Sequence, residues 1–159
     1  MAPSSDITPT DDSEATSVSH ARAFIADAAR GRTFDALPLS LCANERATRR
    51  GTFACELDVT EALTNRFGTL HGGAIATLVD VLTTAALLTM TTRGGVSTDL
   101  NVSYVAPARV GTRVFITCEV LKVGKTLAWM SCEMRNEDGI VAVGRHTKFL
   151  PVSLVMSKL

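Results

Sequence analysis

From Ala74 to Met90 the chain carries one charge, Asp80, among alanine, isoleucine, leucine, valine, methionine and threonine. The run opens after Gly72-Gly73 and closes before Arg93-Gly94-Gly95. It predicts one long helix from about Gly72 to Thr91. A helix apolar on nearly all sides has to be wrapped by the rest of the fold. The flanking segments follow another period. Phe53, Cys55, Leu57 and Val59 alternate with Thr52, Ala54, Glu56 and Asp58, as a strand requires. Strands are expected at Leu39–Arg46 and Gly51–Val59, turning at Arg49-Arg50-Gly51. More are expected at Val96–Val105, Arg113–Val123, Thr126–Arg135 and Ile140–Leu150. The later turns, Pro107 to Gly111, Gly124-Lys125 and Asn136 to Gly139, are short enough to make antiparallel neighbours. The economical solution is an α+β domain, a curved antiparallel sheet wrapped around one long central helix.

A shorter helix precedes the strands. Ala21, Phe24, Ile25 and Ala28 share one face, and Gly31 is its stop. Residues 1–17 are rich in Ser, Thr, Pro and Asp and are expected to be a disordered tail. The domain proper then spans 18–151, with a C-terminal tail at 152–159.

Composition narrows the class. Hydrophobic residues make up 46% and charged residues 20%, a globular balance. Lys+Arg and Asp+Glu stand at 16 each, so no global basic field argues for nucleic acid. Cys42, Cys55, Cys118 and Cys132 are widely spaced with no CxxC pair, and read as small core residues. Asp6, Asp11, Asp12 and Glu14 precede the first Arg or Lys, Arg22, which argues against a mitochondrial presequence. The long apolar run could reach across a bilayer by length, but its four threonines and Asp80 argue against a membrane span. The chain closes on Ser157-Lys158-Leu159, a tripeptide read by a peroxisomal import receptor. A peroxisomal or related microbody address is expected.

The chemistry gathers around the start of the long helix. Asn65-Arg66-Phe67-Gly68-Thr69-Leu70-His71-Gly72-Gly73 brings a polar cluster to a place where backbone N–H groups point outward with partial positive charge. Eight residues after Gly72 comes Asp80. A buried, unpaired carboxylate is very costly, so it is paired, protonated or in use. Each residue also has a plain structural reading. Gly72-Gly73 can mark a tight turn into the helix, His71 can be an ordinary helix-start residue, and Asn65 can cap a turn. Asp80 can simply pair with a Thr or Ser, and Ser97, opening the next strand, is a candidate. Taken together, an oxyanion site and an acid on one helix suggest attack on a carbonyl. No Ser-His-Asp triad, metal cluster or Walker loop stands out. The only other histidines are His20, in the first helix, and His146. Gly72 to Asp80 spans about 12 Å of helix rise. A carbonyl at the Gly72 N–H and a water at Asp80 have to meet within roughly 3–3.5 Å. Two such helices side by side across a two-fold axis satisfy both, so a composite site in a symmetric dimer is expected.

The order of short motifs over residues 64–148 carries a resemblance. Thr64-Asn65, Gly68-Thr69-Leu70-His71-Gly72-Gly73, Ala76-Thr77-Leu78-Val79-Asp80 and Gly95-Val96-Ser97 come first. Val120-Leu121-Lys122, Gly124-Lys125-Thr126-Leu127-Ala128 and Gly144-Arg145-His146-Thr147-Lys148 follow. In these pieces the chain resembles the hotdog-fold acyl-CoA thioesterases of the phenylacetate-degradation type, within them the group of thioesterase superfamily member 2. The resemblance implies hydrolysis of acyl-CoA to free acid and coenzyme A. Asp80 would activate the water, with Ser97 orienting it. The Gly72 N–H and Asn65 would polarise the carbonyl, and His71 would support the same loop and the thiolate side. The family's dimers of dimers place such sites at subunit interfaces. All five polar positions are kept.

Thioester hydrolysis needs no strong general acid, and a carboxylate can serve it as base or as nucleophile. No cofactor is implied, because coenzyme A arrives on the substrate. Gly73 would border the bound substrate, and Lys125, Arg145 and Lys148 are candidate cations for the coenzyme A phosphates; each could equally be a solvated residue at the sheet edge. Two other functions compete. A hotdog enoyl-CoA hydratase pairs an Asp and a His in one short segment, whereas here they lie nine residues apart. A non-catalytic acyl-CoA or lipid-binding scaffold would have no use for all five polar positions.

Overall fold

The computed structural model describes residues 11–47 and 49–151, with side chains from residue 18 to Ala47 and from Arg49 to Pro151. Helix α1 (Asp11–Arg30) and the short α2 (Ala36–Ser40) precede strands β1 (Cys42–Arg46) and β2 (Thr52–Asp58). A 3-10 turn at Glu61–Leu63 leads to α3 (Gly72–Leu88). Strands β3 (Val96–Tyr104), β4 (Arg113–Val123), β5 (Leu127–Asn136) and β6 (Gly139–Phe149) follow. The six strands form one antiparallel sheet in the order β1-β2-β4-β5-β6-β3, and α3 packs against it. The expected α+β architecture holds.

Three expectations need correction. Residues 11–17, expected to be disordered, belong to the first turns of α1; residues 1–10 and 152–159 lie outside the described residues. The strand expected at Leu39–Arg46 starts only at Cys42. Leu39 belongs to α2, where Pro38 is tolerated in the first turn, and it enters the core from there at 1% exposure. The Pro107–Gly111 segment does not fold β3 back onto β4. Its backbone is used elsewhere: Leu70 N–H donates to Ala108 O at 2.8 Å, Val110 N–H to Gly68 O at 3.1 Å, and Gly111 N–H to Val59 O at 2.8 Å. The segment therefore crosses the fold, β4 lies beside β2, and β3 becomes an edge strand against β6.

The wrapping of α3 is uneven. From Val81 to Leu88 every residue is buried, and Leu78 and Leu82 are fully enclosed, each stabilising by about 1.5–3 kcal/mol. Gly72, Gly73, Ala76, Thr77 and Asp80 stay half-exposed along one stripe. Phe53, Cys55, Leu57, Val114, Ile116, Cys118, Cys132 and Met134 supply the sheet's side of the core, so three of the four cysteines are core residues as expected. Burial pushes the Cys118 thiol up, which keeps it a neutral core side chain. Ala21 and Ile25 of α1 are fully buried, as their spacing predicts. Gly144 of β6 lets α3 sit close, because a Cβ there would come within 2.5 Å of Val79 Cγ1.

Candidate active site

At the start of α3 the polar groups are committed in a definite order. His71 is the N-cap, and its Nδ1 accepts the Gly73 N–H at 2.8 Å. A Cβ on Gly73 would lie 3.0 Å from that nitrogen, so a larger residue there would have to displace the His71 ring. The Gly72 N–H, an orphan of the first turn, finds no acceptor among the described residues. The Asn65 side chain folds onto its own loop. Its Oδ1 accepts from Phe67 N–H at 2.9 Å, and its Nδ2 donates to Thr69 Oγ1 at 2.9 Å. An amide nitrogen has two protons, so one remains for a ligand. Asn65 and Gly72 line one cleft of about 340 Å³, with Tyr104 and Pro107 on its other side. Tyr104 O–H donates to Gly72 O at 3.2 Å.

Asp80 forms a second centre. The composition of the run suggested a buried acid; its side chain keeps 42% exposure, on the half-open stripe of α3. It lines a cleft of about 470 Å³ with Gly73, Ala76, Thr77, Leu100 and Phe34. Ser97 Oγ lies 3.1 Å from Asp80 Oδ1, the contact its position at the strand opening suggested. A β-bulge aims it there: Ser97 pairs with Lys148 and Asp99 with Thr147, leaving Thr98 as the extra residue.

Two residues from β6 complete this centre. His146 is buried, with Nδ1 2.6 Å from Thr83 Oγ1, and Nε2 3.0 Å from Ser97 Oγ and 3.5 Å from Asp80 Oδ1. Burial first, and then the Lys148 ammonium, push its pKa down to about 4, while Asp80 and Asp99 oppose them. Sequence reasoning gave His146 no role. The signal was the strand period, which carries the buried set Ala142, Gly144, His146 and Lys148 along one face. Lys148 also corrects an expectation. It was a candidate surface cation for phosphate, yet it is 7% exposed, with Nζ donating to Thr84 Oγ1 at 3.0 Å and lying 3.9 Å from Asp80 Oδ1. The same alternation that buries His146 turns it inward. Burial lowers its pKa, and Asp80 works against that. Lys125, at the exposed β4–β5 turn, and Arg145, on the exposed face of β6, remain outside.

One protomer thus holds two separated half-sites on one helix, about 12 Å apart by helix rise. One half offers N–H donors suited to a carbonyl oxygen. The other offers a carboxylate and a hydroxyl suited to a water. Such parts fit addition of water to an activated carbonyl.

Comparison with known proteins agrees. The thioesterase superfamily model matches residues 67–143. Human acyl-coenzyme A thioesterase 13 is 51% identical over 104 residues, 63% of this chain and 74% of that protein. The mouse protein of the same name is 50% identical over 100 residues, 60% of this chain and 71% of its own. The crystal structure of zebra fish thioesterase superfamily member 2 superposes with a TM-score of 0.78 at 36% identity, covering 84% of this chain and 98% of that one. Escherichia coli PaaI, from a phenylacetic acid degradation operon, shares the fold with a TM-score of 0.73 at 19% identity, over 87% of this chain and 95% of its own.

Proposed function

The chain belongs to the thioesterase superfamily and is an acyl-CoA thioesterase of the hotdog fold; from that premise we propose how its residues divide the work. Asp80 takes a proton from water, and the resulting oxygen bonds to the thioester carbonyl carbon. The Gly72 N–H and Asn65 Nδ2 carry the negative charge that develops on the carbonyl oxygen. The C–S bond then breaks, and coenzyme A leaves as a thiolate. Ser97 holds the water against Asp80. His71 keeps the Gly73 N–H occupied and so shapes the loop on the thiolate side. The observation that carries this reading is Asp80 itself, half-exposed in a cleft with Ser97 at 3.1 Å.

The two half-sites come together only across a subunit interface. Edge strand β3 supports self-association, because it exposes Val96, Leu100 and Tyr104, and an open apolar edge invites a second copy. We read the assembly as a dimer of dimers, a homotetramer. Gly73 borders the acyl group, and Lys125 and Arg145 are the cations left for the coenzyme A phosphates. Ser157, Lys158 and Leu159 direct the protein to peroxisomes through the import receptor, where it acts in lipid metabolism on coenzyme A esters.

The test is release of free thiol from a panel of acyl-CoAs, short to long and phenylacetyl. Asp80→Asn should lower turnover by at least about 10²-fold with the fold intact. Near-normal turnover in the folded variant would mean that Asp80 is structural. Mixing Asp80→Ala chains with Asn65→Ala chains, with subunit exchange shown independently, should restore part of the activity, and verified heterodimers without recovery would end the shared-site reading. For the address, an N-terminal fluorescent fusion should collect in peroxisomes and lose that location when Leu159 is removed. Cytosolic fluorescence from the intact C-terminus, in cells competent for import, refutes it.

A further inference from the structure

Thr83 Oγ1 lies 2.7 Å from the Val79 carbonyl oxygen, 3.1 Å from that of Asp80 and 2.6 Å from His146 Nδ1. A hydroxyl has one proton. If it went to Nδ1, two oxygen lone pairs would face each other at 2.7 Å inside the core. The proton therefore goes to Val79 O, the back-bond of a helical threonine, and Thr83 accepts from an Nδ1–H. The imidazole is then assigned: Nδ1 carries hydrogen and Nε2 carries a lone pair.

Nε2 faces Ser97 Oγ at 3.0 Å and the Asp80 carboxylate at 3.5 Å. Of the two, only the hydroxyl has a proton to give. That proton has two claimants, Nε2 and Asp80 Oδ1. The imidazole is buried, so its lone pair has no water to turn to, whereas the half-exposed carboxylate has. A buried acceptor left empty is the costlier choice, so Ser97 donates to Nε2. The Ser97 oxygen keeps two lone pairs. One accepts from Lys148 Nζ at 3.4 Å, whose ammonium, 3.9 Å from Asp80 Oδ1, offsets the 3.1 Å approach of that oxygen to Ser97 Oγ; the other faces out, because Ser97 lies exposed on the edge strand.

We propose that His146 is a positioning residue for hydrolysis: a one-directional chain, from Ser97 to His146 to Thr83 to the Val79 carbonyl, turns a Ser97 lone pair toward the water that Asp80 deprotonates. The proposal rests on the reading of Asp80 as base. The water gives one hydrogen to Asp80 and the other to Ser97, which leaves an oxygen lone pair for the carbonyl carbon. The charged groups facing the imidazole are Lys148 on its own strand, Asp80 on α3 and Asp99 on β3. Burial and Lys148 prevail over the two acids, and they hold the ring neutral at ordinary pH.

Two experiments test this. In protein labelled with 15N-histidine at pH 7, the NMR spectrum should show His146 as the Nδ1–H tautomer; the Nε2–H pattern overturns the proposal without any variant. In kinetics, His146→Leu should lower kcat by up to about 10²-fold, what misplacing a reacting group by an ångström can cost, with KM nearly unchanged. His146→Gln, which offers an oxygen to Ser97 and an N–H to Thr83, should recover part of that loss. In a Ser97→Ala background His146→Leu should cost nothing more, since the hydroxyl it orients is gone. Losses that multiply would mark a structural role and overturn the proposal. Asp80→Asn measured alongside separates the two readings. If it keeps turnover, the base assignment fails; if it loses turnover while folded His146→Leu keeps kcat, only the positioning role fails. Should His146→Leu not fold, Thr83→Val removes the acceptor of the Nδ1–H and should lower kcat and shift the tautomer; an unchanged tautomer and kcat overturn the proposal.

Discussion

At the start of α3, the side chains of Asn65 and His71 close their hydrogen bonds within a few residues: Asn65 to Phe67 and Thr69, His71 to Gly73. At its middle, Asp80 reaches Ser97, 17 positions on, and the ring of His146 meets Thr83 across 63 positions. The first half-site is a local motif that any chain entering a helix this way could build. The second exists only because β3 and β6 pair in one register over α3. A one-residue slip of edge strand β3 against β6, itself held by β5, would turn Ser97 to the outer face. The two halves should therefore respond to different perturbations.

The largest expected effect tests the local half. Gly72 is the first residue of α3, the helical position that suits proline best. Gly72→Pro deletes the N–H and little else. Gly72→Ala is its control, because it keeps the N–H and adds the same Cβ, which would lie 3.3 Å from Tyr104 Cε1. The proline variant should lose about 10²–10³-fold in kcat beyond the alanine variant, the cost of one oxyanion donor. Equal losses in the two would trace the effect to Tyr104 crowding, and the Gly72 N–H would lose its role.

The next effect belongs to the long-range half. His146 has its pKa pushed down to about 4, from an unfolded value near 6.5. Between those values the unfolded chain binds the proton and the fold does not, so stability falls as pH drops from 6.5 to 4. Above 6.5 the contribution is complete; below 4 both states are protonated and the slope ends. The group accounts for up to roughly 3 kcal/mol over that window. Thermal unfolding at pH 7 and pH 4 should show a smaller drop in midpoint for His146→Leu than for the unchanged protein. Equal drops would mean that the ring titrates alike in both states.

The same division explains what could be read in the residues. Local signals were legible: the apolar run that makes α3, the alternation in β2, and the polar stretch that gives the Gly72 and Asn65 cleft. The Asp80–Ser97 pair was legible as well, because one carboxylate in an apolar helix needs a partner and the next strand opens on a serine. The exposure of Asp80 was not, since it depends on how far the sheet wraps, and β3 ends as an edge. The β3–β6 pairing was not, because the Pro107–Gly111 segment looks like a hairpin turn until its N–H groups are seen bonding to Gly68 and Val59. Lys148 was misplaced for the same reason. A lysine near a strand end reads as solvated, and only the position of α3 above Gly144 shows that its neighbours are Thr84 and Asp80.

The smallest expected effect returns to the helix start and asks how rigid the local half is. A Cβ on Gly73 would meet His71 Nδ1 at 3.0 Å and Cε1 at 3.2 Å. His71 is exposed, so its ring can swing away, and the cost is the Nδ1 hydrogen bond to the Gly73 N–H rather than a clash. Losing one such cap costs about 1 kcal/mol, and alanine, the better helix former, returns part of that. Gly73→Ala should therefore leave the unfolding midpoint within a few degrees of the original. The Gly73 N–H, freed from His71, would then stand beside the Gly72 N–H, and the donor geometry at the carbonyl would loosen. A kcat loss of a few-fold is expected, small beside that of Gly72→Pro. A loss as large as that of Gly72→Pro would show that the His71 cap, and not the Gly72 N–H alone, holds the carbonyl. The helix start would then be as dependent on exact packing as the middle.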